Sequence, residues 1–169
     1  MKTQSSYVVL LSVFVLSAFT FLDHLQSPPV ICVLAVKESG LTVKQQLNLC
    51  SEATSDAPVR CFIYSTDVGM TLDQRLRLCQ QANSDAPFRC YENAINRGLT
   101  LDQRTQLCRK AESTAPNQCF DSAVNLPLTN DERVTLCGET QTDEPILCFN
   151  NSAQIGLTTS QRASLCRKS

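Results

Sequence analysis

Ten cysteines, at 32, 50, 61, 79, 90, 108, 119, 137, 148 and 166, are the residues best placed to do chemistry. Such a set can hold zinc, run thiol–disulfide exchange or close structural disulfides. Zinc sites draw on closely spaced cysteine pairs and histidines, whereas the gaps here alternate 18 and 11 and the chain has one histidine. Redox exchange uses Cys-x-x-Cys, a spacing the chain lacks. Disulfides are the chemistry that fits, and they place the protein in an oxidising compartment. No metal and no cofactor are expected.

Catalytic groupings are not legible. His24 lies ahead of the cysteines with no serine or cysteine partner in view, so no nucleophile and base can be paired and no catalytic residue is assigned. Two charged rows recur instead: Asp73, Asp102 and Asp131, and Arg75, Arg104, Arg133 and Arg162. Their ordinary use is electrostatic. Asp suits a helix N-terminus, and Arg can pair with the carboxylate of a neighbouring copy. Their functional use is a ladder that recognises a partner along one surface. "NNS" at Asn150 is a glycosylation acceptor pattern inside an expected helix, and "LPLTN" at Leu126–Asn130 is a turn. A net charge of -1 and a pI near 5.8 exclude nucleic acid as a natural partner.

The rows belong to a repeat with a period of 29, held without insertion. Proline recurs at 29, 58, 87, 116 and 145, threonine at 42, 71, 100, 129 and 158, and a leucine precedes every second cysteine. Each threonine is followed three residues later by Gln or Glu, the capping box that opens a helix. A second helix opens where Ser84 or Asp85 can cap and Pro87 occupies the first turn. Gly40, Gly69, Gly98 and Gly156 mark left-handed turns, and Pro127 replaces the fourth glycine, so that turn must close differently. Helices of about three turns are unstable alone. Packing and cross-links must hold them.

These elements set the pairing. In an antiparallel hairpin turning at Gly98, Cys90 and Cys108 sit at matching heights. Pairing across the shorter gap is nearly as symmetric but strands Cys32 and Cys166, so the expected bridges are Cys32–Cys50, Cys61–Cys79, Cys90–Cys108, Cys119–Cys137 and Cys148–Cys166. The likeness to tetratricopeptide-type solenoids is in kind only, because their period is about 34 residues.

The expected fold is all-α: a right-handed α-solenoid of five short disulfide-stapled αα-hairpins, at about 27–55, 56–84, 85–113, 114–142 and 143–169. Residues 1–22 read as a signal peptide, with Lys2 ahead of an apolar run from Tyr7 to Leu22 that falls short of the roughly 20 residues a spanning helix needs. Residues 23–28 are a linker and 29–169 the repeat domain. The protein is thus expected to be secreted or periplasmic, or else anchored by an uncleaved signal. The functional expectation is a non-enzymatic binding or structural module whose partner is a protein or peptide. The rivals are a secreted inhibitor or toxin-like effector and, behind it, an enzyme with a dispersed site. The ends differ: Arg162, Ser164 and Arg167 offer a polar outer face on the last helix, while Val30, Ile31, Val33, Leu34, Ala35 and Val36 leave the first too apolar. That first helix is expected to associate with itself or a membrane.

Overall fold

In the computed structural model, which describes residues 27–167, all five capping boxes are formed. The hydroxyls of Thr42, Thr71, Thr100, Thr129 and Thr158 accept from the backbone N–H three residues on, and the Gln or Glu at that place returns a bond to the threonine N–H. They open α2 (Val43–Cys50), α4 (Leu72–Cys79), α6 (Leu101–Cys108), α8 (Asn130–Cys137) and α10 (Thr159–Leu165). Alternating with these are α1 (Pro28–Val36), α3 (Ala57–Tyr64), α5 (Ala86–Asn93), α7 (Ala115–Ser122) and α9 (Glu144–Asn151), each with proline in its first turn. The described residues hold ten α-helices and no strand. Helix-opening proline lacks only an N–H that the helix would have orphaned anyway.

Serine turns lead the chain into α3, α5 and α7. Ser55, Ser84 and Ser113 accept from the N–H of Ala57, Ala86 and Ala115 at 3.1 Å. Asp56 and Asp85 make no cap and pair one turn on with Arg60 and Arg89. The glycines at 40, 69, 98 and 156 take φ of 67 to 77°, and a Cβ there would meet nothing within 4 Å, so the requirement is conformational. At Pro127 the turn closes through Leu128 N–H donating to the Leu126 carbonyl at 2.7 Å, a three-residue turn that proline's fixed φ suits. Gln81, Lys110 and Glu139 also adopt positive φ, of 62, 59 and 65°. Each follows an extended residue just past its helix, a kink that no glycine advertises.

Five disulfides join the helices in the pairing across 18 residues, with Cα atoms 5.4 to 5.6 Å apart. The cystines line the core beside the sealed Leu49, Leu78, Leu107 and Leu136, with Cys148 alone of the ten cysteines partly exposed. Each odd-numbered helix packs on its bridged partner and on the next odd-numbered helix, and the even-numbered helices contact one another in the same succession. Helix α6 ends at Cys108, so Ala111 is buried from the loop beyond it.

The expected polar end face is formed only in part. Ser164 is exposed, but Arg162 lies against Phe149 and Arg167 reaches Glu139 at 3.0 Å, and Leu165 faces out beside them. The expected signal peptide and His24 lie outside the described residues. No described helix is long and apolar enough to cross a membrane.

Candidate functional site

The arginine row is built from pairs of helices. Each arginine stands on the first turn of an even-numbered helix, and the residue after the odd-numbered helix's cysteine is aromatic: Phe62, Tyr91, Phe120 or Phe149. The disulfide holds the two helices together, so each guanidinium lies over the ring of its own hairpin, at 4.0 Å for Arg75 on Phe62, 4.9 Å for Arg104 on Tyr91, 4.7 Å for Arg133 on Phe120 and 4.0 Å for Arg162 on Phe149. Stacking of this kind is worth about 0.5–2 kcal/mol. Among the described residues the row makes no ion pair with the carboxylates of neighbouring copies, the ordinary use expected of it.

Backbone carbonyls complete the seat. Arg75 Nη2 donates to the Phe62 carbonyl at 2.7 Å and Arg162 Nη2 to the Phe149 carbonyl at 2.5 Å, meeting oxygens that the last turn of a helix leaves without a partner. Their Nε atoms donate to Ser65 and Ser152 at 3.3 and 3.1 Å. Ala94 and Ala123 occupy the corresponding places in the hairpins between, and there Nε of Arg104 and of Arg133 is buried without a partner. Burial lowers the Arg75 pKa against the pull of Asp67, and burial raises that of the Tyr91 phenol, opposed by Arg104.

Aspartates form the joints between hairpins. Gln74, having capped α4, turns its Nε2 to Asp102 of the next hairpin at 3.1 Å, and Gln103 does the same to Asp131 at 2.6 Å. Arg77 joins Asp73, one turn behind it, to Asp102, at 3.0 and 2.7 Å. These bonds from Gln74 and Arg77 hold the Asp102 carboxyl below its usual range. At the last joint the polarity is reversed: Glu132 replaces the glutamine and accepts from Thr159 and Ser160 at 2.9 and 2.6 Å. Donor and acceptor change sides together. The hydroxyl of Ser160, the Thr129 N–H and the Thr159 hydroxyl bring the Glu132 pKa down to about 2.

Further links cross the same boundaries. Arg97 holds Asp121 through two parallel bonds at 2.8 and 2.7 Å, and Glu139 lies between Arg109 and Arg167 at 3.1 and 3.0 Å. Asn117, buried where other hairpins carry Val59, Phe88 or Ile146, donates to the Cys90 carbonyl at 2.8 Å. Asn150 is exposed near the end of α9, while Ser152 of the same acceptor pattern is sealed and bonded to Arg162.

No family model, curated protein or solved structure matches the chain. The geometry therefore carries the functional reading. All ten cysteines are in bridges, and five disulfides suggest an oxidising, extracellular environment.

One signal for the aromatic–arginine seat was available in the chain. The first repeat has Val33 in the aromatic place and Gln46 in the arginine place. The two features are lost together, as partners would be. Gln46 instead donates to the Leu41 carbonyl at 3.0 Å.

Proposed function

We propose that the protein is an exported, non-enzymatic module, a right-handed α-solenoid of five stapled αα-hairpins with a period of 29, serving as a binding or structural element outside the cell. The observation behind this reading is the use of the recurring polar residues. Arginine seats one helix on another within a hairpin, and Gln74–Asp102, Gln103–Asp131 and Glu132–Ser160 join one hairpin to the next. Chemistry spent on register suits a chain whose task is to hold a surface in shape. The like-with-like succession of helix contacts supports a solenoid, and solenoids recognise proteins or peptides through side chains repeated along one face.

The face offered is the exposed edge carrying Asp73, Asp102 and Asp131. Photo-crosslinking in the extracellular fluid of the native source tests this. Wild type should capture a protein that a D73N/D102N/D131N variant of equal helicity does not. Capture of the same protein by both would remove the acidic edge from the reading.

A further inference from the structure

The first hairpin leaves bare a surface that the later hairpins largely bury. Leu47 is 54% exposed, whereas the residues one, two, three and four periods on, Leu76, Thr105, Val134 and Ala163, are at most 7% exposed. Val30 is 48% exposed against 4% for Val59 and 2% for Asn117, with Phe88 and Ile146 partly buried in the same place. The later hairpins are covered there by the hairpin before them, since α1 packs on α3 and α2 on α4. Pro29, Val30, Val33, Leu34, Leu47 and Cys50 line the resulting apolar groove of about 300 Å³.

The last hairpin is bare on the opposite side. Leu165 is 57% exposed, and its counterparts Leu49, Leu78, Leu107 and Leu136 are at most 1% exposed. Leu157 is 38% exposed against at most 9% for Leu41, Leu99 and Leu128. What covers those counterparts is the hairpin that follows. The two ends are thus the separated halves of one interface, made four times within the chain.

We infer that the apolar groove of the first hairpin takes the Leu157–Leu165 face of a second copy of this chain, head to tail. Charge is compatible with the register. Arg109 meets Glu139 across an internal joint at 3.1 Å, and the same places at the chain ends hold Arg167, which within one chain also bonds Glu139, and Glu52, which also accepts from Gln81. Such a contact is heterologous, and repeated it extends an array and does not close a dimer. The inference rests on the solenoid reading but on no ligand, and it gives the module a means of lengthening its surface.

Sedimentation velocity of the exported chain, bridges intact, tests it over about 1 μM to about 1 mM. The weight-average mass should rise with concentration by more than about twofold. L47D and L165D change residues that are exposed in the single chain, so each should keep its helicity and stay monomeric. Mixed in equal amounts, they should form a one-to-one heterodimer and nothing larger, because each supplies the face the other lacks. That rescue also shows that both variants are folded. A wild type that stays monomeric throughout overturns the inference, including one that instead co-sediments with phosphatidylcholine vesicles. So does an L165D that still associates, since the groove would then be meeting its own copy face to face. Neither failure would disturb the internal joints.

Discussion

Arg104 and Arg133 are held less well than the arginines at the two ends of their row. Their rings lie 4.9 and 4.7 Å away, against 4.0 Å for Arg75 and Arg162, and each has a buried Nε without an acceptor. Ala94 is fully sealed, as is Ser65 in the equivalent place, so a serine hydroxyl fits the backbone there. A94S should add about 1 kcal/mol, the usual net value of a hydrogen bond, and raise the melting midpoint by roughly 2–4 °C. A fall in midpoint would mean that Arg104 is held by the Tyr91 ring alone. Glu132 gives the residue scale a pH dependence. Its folded pKa of about 2 lies below the ordinary glutamate value of 4.5, so the folded state holds fewer protons and gains from the ionised form above pH 4.5. That gain is lost as pH falls from there to about 2. Wild type should therefore outlast E132Q in denaturant at pH 6, with the difference vanishing near pH 2. A difference independent of pH would locate the effect in packing. The double exchange E132Q/S160D rebuilds the Gln–Asp joint of the other hairpins, and should recover the stability lost by E132Q at pH 6.

Helices here are started and stopped by local devices, which is why they were legible. Thr100 with Gln103 opens α6, and Gly98 turns the chain ahead of it at φ of 67°. T100A should cost about 1 kcal/mol through loss of the cap. G98A should cost about 1–2 kcal/mol, because an alanine must enter the left-handed region although its Cβ touches nothing. Thermal melts of the two variants measure both, and a neutral G98A would show that the turn relaxes to another geometry. The cysteine beat likewise carried the pairing, since only one register uses all ten sulfurs. What escaped depends on contacts between helices. Phe62 and Arg75 stand on different helices and meet only because Cys61–Cys79 closes the hairpin. The left-handed Gln81, Lys110 and Glu139 carry no glycine to announce them. Charge alone suggested that Arg162 and Arg167 would face solvent, and the ring of Phe149 and the carboxylate of Glu139 hold them inward.

The ten helices of the described residues are short, and a disulfide closes each pair of them. Each bridge closes an 18-residue separation, worth about 3 kcal/mol in the chain-entropy model, and five together match the roughly 5–15 kcal/mol that keeps a domain folded. Aromatic residues are 6% of the chain, and beside Phe62, Tyr91, Phe120 and Phe149 the core is built from leucine, valine, alanine and the cystines themselves. Full reduction at neutral pH should therefore abolish the cooperative melt seen by circular dichroism, and a melt that survives excess reductant would assign stability to packing. Hairpins stapled at fixed register and stacked through paired polar groups are what these bridges hold in place. Peptide mapping of the protein purified from its native source, cleaved without reduction after blocking free thiols, tests the fixed register most directly. The expected result is five linked peptide pairs, Cys32–Cys50, Cys61–Cys79, Cys90–Cys108, Cys119–Cys137 and Cys148–Cys166, with no blocked thiol. A link across the shorter gap, such as Cys79–Cys90, or blocked thiols at any of the ten positions in the folded protein, would contradict it.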